Sequence, residues 1–259
     1  MKVQFGNPCN VSTATEALSF YDDNEFMSPT RSTIPLLDLL IHSPDVFKKI
    51  VRECGAEGEF DVTLEYKVKP FKGKGNASHT DAMVISNGRA LAIEAKWTEN
   101  MYDNVEEWLK KGNGGENRKA VLNGWLECLQ RIAPHRLLKA DEFNDATYQM
   151  VHRAASAVEA ARRAQVENSA MLYLLFSRSH CASATRVKKA MEHLWGLLGN
   201  PPKLPFYLVE VAMSYESAYG RMERLPKKTQ ATADQIRGAL QGDSALFSFK
   251  QSVIQITGP

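Results

Sequence analysis

No apolar run in the chain approaches the roughly 18 residues that a membrane-spanning helix needs; the longest strong one, residues 171–176, has the length of a strand. The start, MKVQFGNPCN, lacks the basic opening and continuous apolar stretch of a signal peptide, so a cytoplasmic location is expected. Cysteine is scarce and scattered: Cys9, Cys54, Cys128 and Cys181 form no CxxC pair, which argues against a zinc site or a disulfide framework and reads as ordinary reduced thiols. Charge of one sign is also missing. The 32 basic side chains nearly balance 30 acidic ones, and a net charge of +2 gives no global pull on a polyanion, so any nucleic-acid footprint must be local. No helix-turn-helix or finger spacing, internal repeat or low-complexity tract is present.

What remains is an ordinary folded composition, 44% hydrophobic and 24% charged over 259 residues, enough for a substantial core. One domain over residues 1–259 is expected. Turn formers crowd residues 1–30, which read as an irregular arm with a short helix from Ala14, and residues 222–259 read as a C-terminal extension. Apolar residues recur at helical spacing from Thr33 to Ile50, broken at Ser43-Pro44. Residues 61–68, DVTLEYKV, alternate as a strand, and residues 82–86 and 90–94 make two more, joined by the tight-turn pair Asn87-Gly88. Helices are expected over residues 105–109, 118–132 and the alanine-rich 148–164, with a glycine linker at 112–115. Strands at 170–176 and 206–211 enclose a helix over 183–198, and a last helix and strand are expected at 232–240 and 252–256. This order predicts an α/β fold: a mixed central sheet flanked by helices, with a three-strand antiparallel meander.

Residues 78–99, SHTDAMVISNGRALAIEAKWTE, carry the chemistry. Residues two apart on a strand share a face, so Glu94 and Lys96 project together while Ile93 and Ala95 point away. Asp81 is placed at the opening of the preceding strand, which the Asn87-Gly88 turn folds back, so two carboxylates and an amine converge. Two hard oxygen donors suit Mg²⁺, with Mn²⁺ able to substitute, and a lysine beside the ion can position water or offset negative charge. Such a group serves phosphodiester hydrolysis. The bland alternative is a strand-end ion pair of Glu94 with Lys96, worth at most about 1 kcal/mol.

The run Thr80-Asp81, twelve residues, then Glu94-Ala95-Lys96 resembles the PD-(D/E)xK nuclease superfamily, with Thr80 in place of the nominal proline. The resemblance implies a restriction-endonuclease-like core, metal binding by Asp81 and Glu94 and catalysis by Lys96. It further implies an added acidic residue, for which Glu65 is the first candidate, and a helical glutamine like that of RecB-type nucleases, for which Gln149 is the match. Arg153 and His152 lie within a helical turn of Gln149, and Arg153 is placed to hold a phosphate. Lys67, Lys69, Lys72 and Lys74 form a basic run before the site; Lys72 and Lys74, with His79, are further candidates for substrate contact. The implied function is a Mg²⁺-dependent endonuclease acting on DNA, in restriction or defence, alone or with a second copy or a partner protein. The alternative is a catalytically silent nucleic-acid-binding or scaffold protein with the same fold.

Overall fold

The computed structural model describes residues 1–6, 11–111, 115–178 and 184–257, with side chains through 251. Its centre is a mixed sheet of seven strands in sequential order: β1 Lys2–Phe5, β2 Phe60–Val68, β3 Ser78–Ser86, β4 Arg89–Lys96, β5 Asn168–Ser177, β6 Phe206–Tyr215 and β7 Phe247–Thr257. β1 runs parallel to β2, the β2–β3 and β3–β4 pairs are antiparallel, β4, β5 and β6 are parallel, and β7 returns antiparallel to β6. The two-residue Asn87-Gly88 turn joins β3 to β4 as expected.

Helices cover both faces, because β4 and β5 are apolar on both sides and must be buried on both. One face carries α1 Ala14–Ala17, α2 Thr33–His42, α3 Pro44–Glu53, α8 Ser217–Met222 and α9 Gln230–Gln241. The other carries α4 Val105–Lys110, α5 Gly115–Leu129, α6 Tyr148–Ala164 and α7 Ala184–Leu197. Ser43-Pro44 separates α2 from α3 because proline, lacking an N–H, is tolerated at a helix start and not inside one. Alanines 154, 155, 157, 160 and 161 line the buried part of α6 and let its backbone approach β4 and β5 closely.

Some expectations change. Residues 1–30 are not only an irregular arm: Lys2–Phe5 forms an edge strand, supplied with its hydrogen-bonding partner by β2, a pairing that four residues among turn formers do not announce. Residues 222–259 likewise add α9 and β7 to the body of the fold. The short α8 was not anticipated, and α5 begins at Gly115, three residues before the expected start; residues 112–114 of the glycine linker lie outside the described residues. Cys54 and Cys128 are free and buried, and burial pushes both thiols up, as suits unreactive core cysteines. Cys9 and Cys181 lie outside the described residues. Among the described residues no helix is long and apolar enough to cross a membrane.

The helical layer holds β7 through one buried carboxylate. Asp38 on α2 is fully buried; its Oδ1 and Oδ2 accept the amides of Leu246 at 2.9 Å and Phe247 at 3.1 Å, and His42 Nδ1 lies 2.8 Å from Oδ1. Replacing Asp38 with alanine strands two buried amides, and we expect a loss of about 2–5 kcal/mol in denaturant unfolding. A loss under about 1 kcal/mol would show that water takes over the acceptor role.

Candidate active site

The β3–β4 ladder stops at Ala82 opposite Ile93, one step short of the pair that would set Asp81 against Glu94. There the strands part. Asp81 Oδ2 instead accepts the Ala95 amide at 2.7 Å, so a side chain satisfies a main-chain group that the ladder leaves open. The β2–β3 ladder has a matching defect: Leu64 pairs with Ala82 and Tyr66 with Thr80, while Glu65, between them, has φ +50°. A left-handed residue without glycine inside a strand costs on the order of 1–3 kcal/mol, and such strain gathers at functional sites. Asp81 therefore sits where the sheet opens on both sides. It lies inside β3, which begins at Ser78, and not at the strand's opening as the sequence suggested. Beside it, Thr80 Oγ1 is buried without a hydrogen-bond partner.

Glu94 is the centre of the group. It is 2% exposed and accepts three side chains: Lys96 Nζ at 2.7 Å and Gln149 Nε2 at 2.6 Å on Oε1, and Arg153 Nε on Oε2. Lys96 comes from the same strand face, two residues on, as alternation requires. Gln149 and Arg153 are four apart on α6, one helical turn, so both reach down to one carboxylate. Tyr173 on β5, in register with Glu94, extends the chain by its hydroxyl, 3.5 Å from Gln149 Oε1.

The two carboxylates titrate in opposite directions. Burial first, then the nearby Glu94 charge, raises Asp81 well above the usual carboxylate range. Burial also opposes ionisation of Glu94, but Arg153 and Lys96 outweigh it and hold that carboxyl low. Burial would lower Lys96; Glu94 and Asp81 overcome it and keep the side chain an ammonium. Glu65 is pushed up to about 7, mainly by burial and then by Glu25.

The remaining expected residues divide. Glu65 faces His79, whose Nδ1 is 3.2 Å from Glu65 Oε2, so both border the group. His152 Nδ1 lies 2.9 Å from Ser78 Oγ, and burial followed by the Arg153 charge keeps the ring neutral; it is a hydrogen-bonded, half-buried histidine. Arg153, expected to hold a phosphate, is 5% exposed and hydrogen-bonded to Glu94 and to Ser78 Oγ at 2.6 Å. Lys72 and Lys74 are drawn to α5 instead of Asp81, since Lys72 pairs with Glu127 at 2.9 Å and the Lys74 amide donates to Asn117 at 2.7 Å. Gly124 permits that docking; a Cβ there would meet the Lys72 amide at 2.5 Å.

Sequence reasoning did not find Glu25, Tyr21, Ser78, Tyr173 or Arg186. Glu25 and Tyr21 come from the N-terminal segment, whose electrostatic reach to Glu65 and Asp81 depends on how it wraps. Tyr173 had a signal, a lone hydroxyl in the apolar run AMLYLLF that must find a partner when buried. Arg186 joins Lys96, Tyr102, Gln149 and Tyr173 in lining a cleft beside the group.

Four carboxylates, Glu25, Glu65, Asp81 and Glu94, influence one another here against the cations Arg153 and Lys96. The hard oxygen donors of Asp81 and Glu94 suit a divalent cation. Among the described residues no three His, Cys, Asp or Glu side chains form a group that could hold a metal ion.

The raised Glu65 carboxyl has a consequence for stability. Its folded value, about 7, lies above the ordinary 4.5, so in that window the folded protein holds the proton more tightly than the unfolded chain does. This group's contribution therefore falls as pH rises from about 4.5 to about 7. Without divalent ions, wild-type unfolding free energy should drop across the window by on the order of 2–3 kcal/mol more than that of Glu65→Gln. Parallel pH curves for the two proteins would contradict the assignment.

Against known families, residues 10–203 match the model of a domain of unknown function, DUF6946. The match spans the whole group from Glu25 to Arg186. No curated protein and no solved structure matches. With well over half its length inside that match, the chain belongs to the DUF6946 family.

Proposed function

We propose that this protein is a metal-dependent nuclease of the PD-(D/E)xK type, hydrolysing phosphodiester bonds in DNA. The observation that carries the reading is the meeting of Asp81, Glu94 and Lys96 at the point where the β3–β4 ladder opens, with the Gln149 amide donating to Glu94. The antiparallel run β2–β3–β4, followed by α4 to α6 and the parallel β5, supports a restriction-endonuclease-like core around that meander.

Asp81 and Glu94 would hold Mg²⁺ or Mn²⁺, which when bound supplies charge stabilisation of the phosphoryl oxygens and an acidified water. The chain's own groups do the rest. Lys96, held as an ammonium, carries no spare lone pair for a proton; its role is to orient water and offset charge developing on phosphate oxygens. Gln149 and Arg153 fix the Glu94 carboxylate, so its orientation does not have to be created during reaction. Glu65, at about 7, is the group suited to exchange a proton near neutral pH. A duplex cutter of this kind needs a second site for the second strand, which a second copy of the chain would provide.

One observation favours a second reading, a silent nucleic-acid-binding or scaffold protein: Glu94 already has Arg153, Lys96 and Gln149 as donors, a set that is complete as a structural network. Two measurements decide. Plasmid DNA with Mg²⁺ or Mn²⁺ should be nicked, and Lys96→Ala should slow nicking by about 100-fold or more. Calorimetry should detect Mg²⁺ binding that Asp81→Asn removes. No nicking by wild type together with no carboxylate-dependent heat selects the silent protein; equal nicking by Lys96→Ala removes the site from the chemistry.

A further inference from the structure

Away from the carboxylates, α6 ends in a concentration of positive charge. Glu159 is 2% exposed and receives three arginines: Arg162 through Nε and Nη2 at 2.8 Å each, Arg163 through Nε at 2.9 Å, and Arg131 through Nη1 at 3.5 Å. The helix macrodipole favours cations at this end, which explains Arg162 and Arg163 in part. It does not explain Arg131, which arrives from the turn after α5. A single carboxylate cannot neutralise three guanidiniums, each with five donors. The three side chains remain 54%, 38% and 45% exposed for Arg162, Arg163 and Arg131, with donors left over for solvent. Arg131 also lies 4.8 Å over the ring of Phe71, which is itself exposed.

The ridge reaches the rim of the site along β2. His152 and Arg163 lie about 16 Å apart along α6, with the buried Ser156 and Glu159 between them. Arg163 Nη1 donates to the Lys67 carbonyl at 3.4 Å, and Lys67 is the register partner of His79. His79 and Ser78 in turn wall a cleft with Trp125, Tyr148 and His152, while contacting Glu65 and Arg153 on its inner side. The two acidic side chains of α5 are taken up locally, Glu127 by Lys72 and Glu116 by Lys119.

We propose that Arg131, Arg162 and Arg163 bind the phosphate backbone of a nucleic-acid strand and lead it across the His79–His152 cleft to the carboxylate group. Planar guanidinium forks and an exposed aromatic ring fit phosphates flanked by bases better than they fit a smooth acidic surface. The choice of a phosphodiester polyanion rests on the nuclease reading; the anion site itself does not.

Fluorescence anisotropy with a labelled DNA oligonucleotide, single-stranded in one arm and duplex in the other, tests it in the absence of divalent ions. Wild type should bind at least one form, with log affinity falling linearly against log salt. R162Q/R163Q should bind about tenfold or more weakly at low salt, with a slope shallower by about 1.4–1.8, the value for two lost phosphate contacts. R162K/R163K, which keeps the charge, should restore the slope; this separates lost charge from a disturbed Glu159. An unchanged slope in the glutamine variant, no binding of either DNA by wild type, or equally tight binding of polyglutamate each overturns the proposal. Arginine-dependent DNA binding by a protein that never nicks DNA would sustain this inference while refuting the nuclease reading.

Discussion

A carboxylate buried in the middle of a seven-stranded sheet sets the terms for much of this protein. Glu94 stands on β4, where its neighbours Leu91, Ala92 and Ile93 are fully buried, and an unpaired charge there would cost several kcal/mol. Its partners come from two elements: Lys96 from the same strand, and Gln149 and Arg153 from α6. The bonds therefore lock α6 to the sheet in one rotation and one axial position. The alanines of α6 make the approach close enough for the bonds to form. Packing and electrostatics each presuppose the other.

Around that fixed point the sheet gives up regularity. Across three neighbouring strands, the β3–β4 ladder ends early at Ala82 and Ile93, Glu65 adopts a left-handed backbone, and Thr80 Oγ1 lacks a hydrogen-bond partner. Each departure costs stability by itself. Together they gather Glu65, Asp81 and Glu94, and burial first, then neighbouring carboxylates, raises Glu65 and Asp81. A structure selected for stability alone would have paired these strands to the end. The cost is concentrated at one place, where β2, β3 and β4 part.

The near-neutral total charge conceals a division. Carboxylates gather where the strands part, and guanidiniums gather at the other end of α6. A helix that spans both regions holds them at a constant separation.

Much of this was legible in the residues alone, and the division has a physical origin. Period-two alternation put Glu94 and Lys96 on one face, Asn87-Gly88 turned the chain between β3 and β4, and the limits of α6 followed from its composition and periodicity. These are consequences of backbone geometry over a few residues, which spacing encodes directly. Tertiary structure decided who meets whom. It turned Arg153 inward to Glu94, drew Lys72 and Lys74 to α5, brought Glu25 and Tyr21 to the carboxylates and paired Lys2–Phe5 with β2. It also strained Glu65, since a left-handed glutamate is held there only by the strands on either side. Sequence determines locally which side chains share a face; long-range register and burial determine which charge each of them must answer.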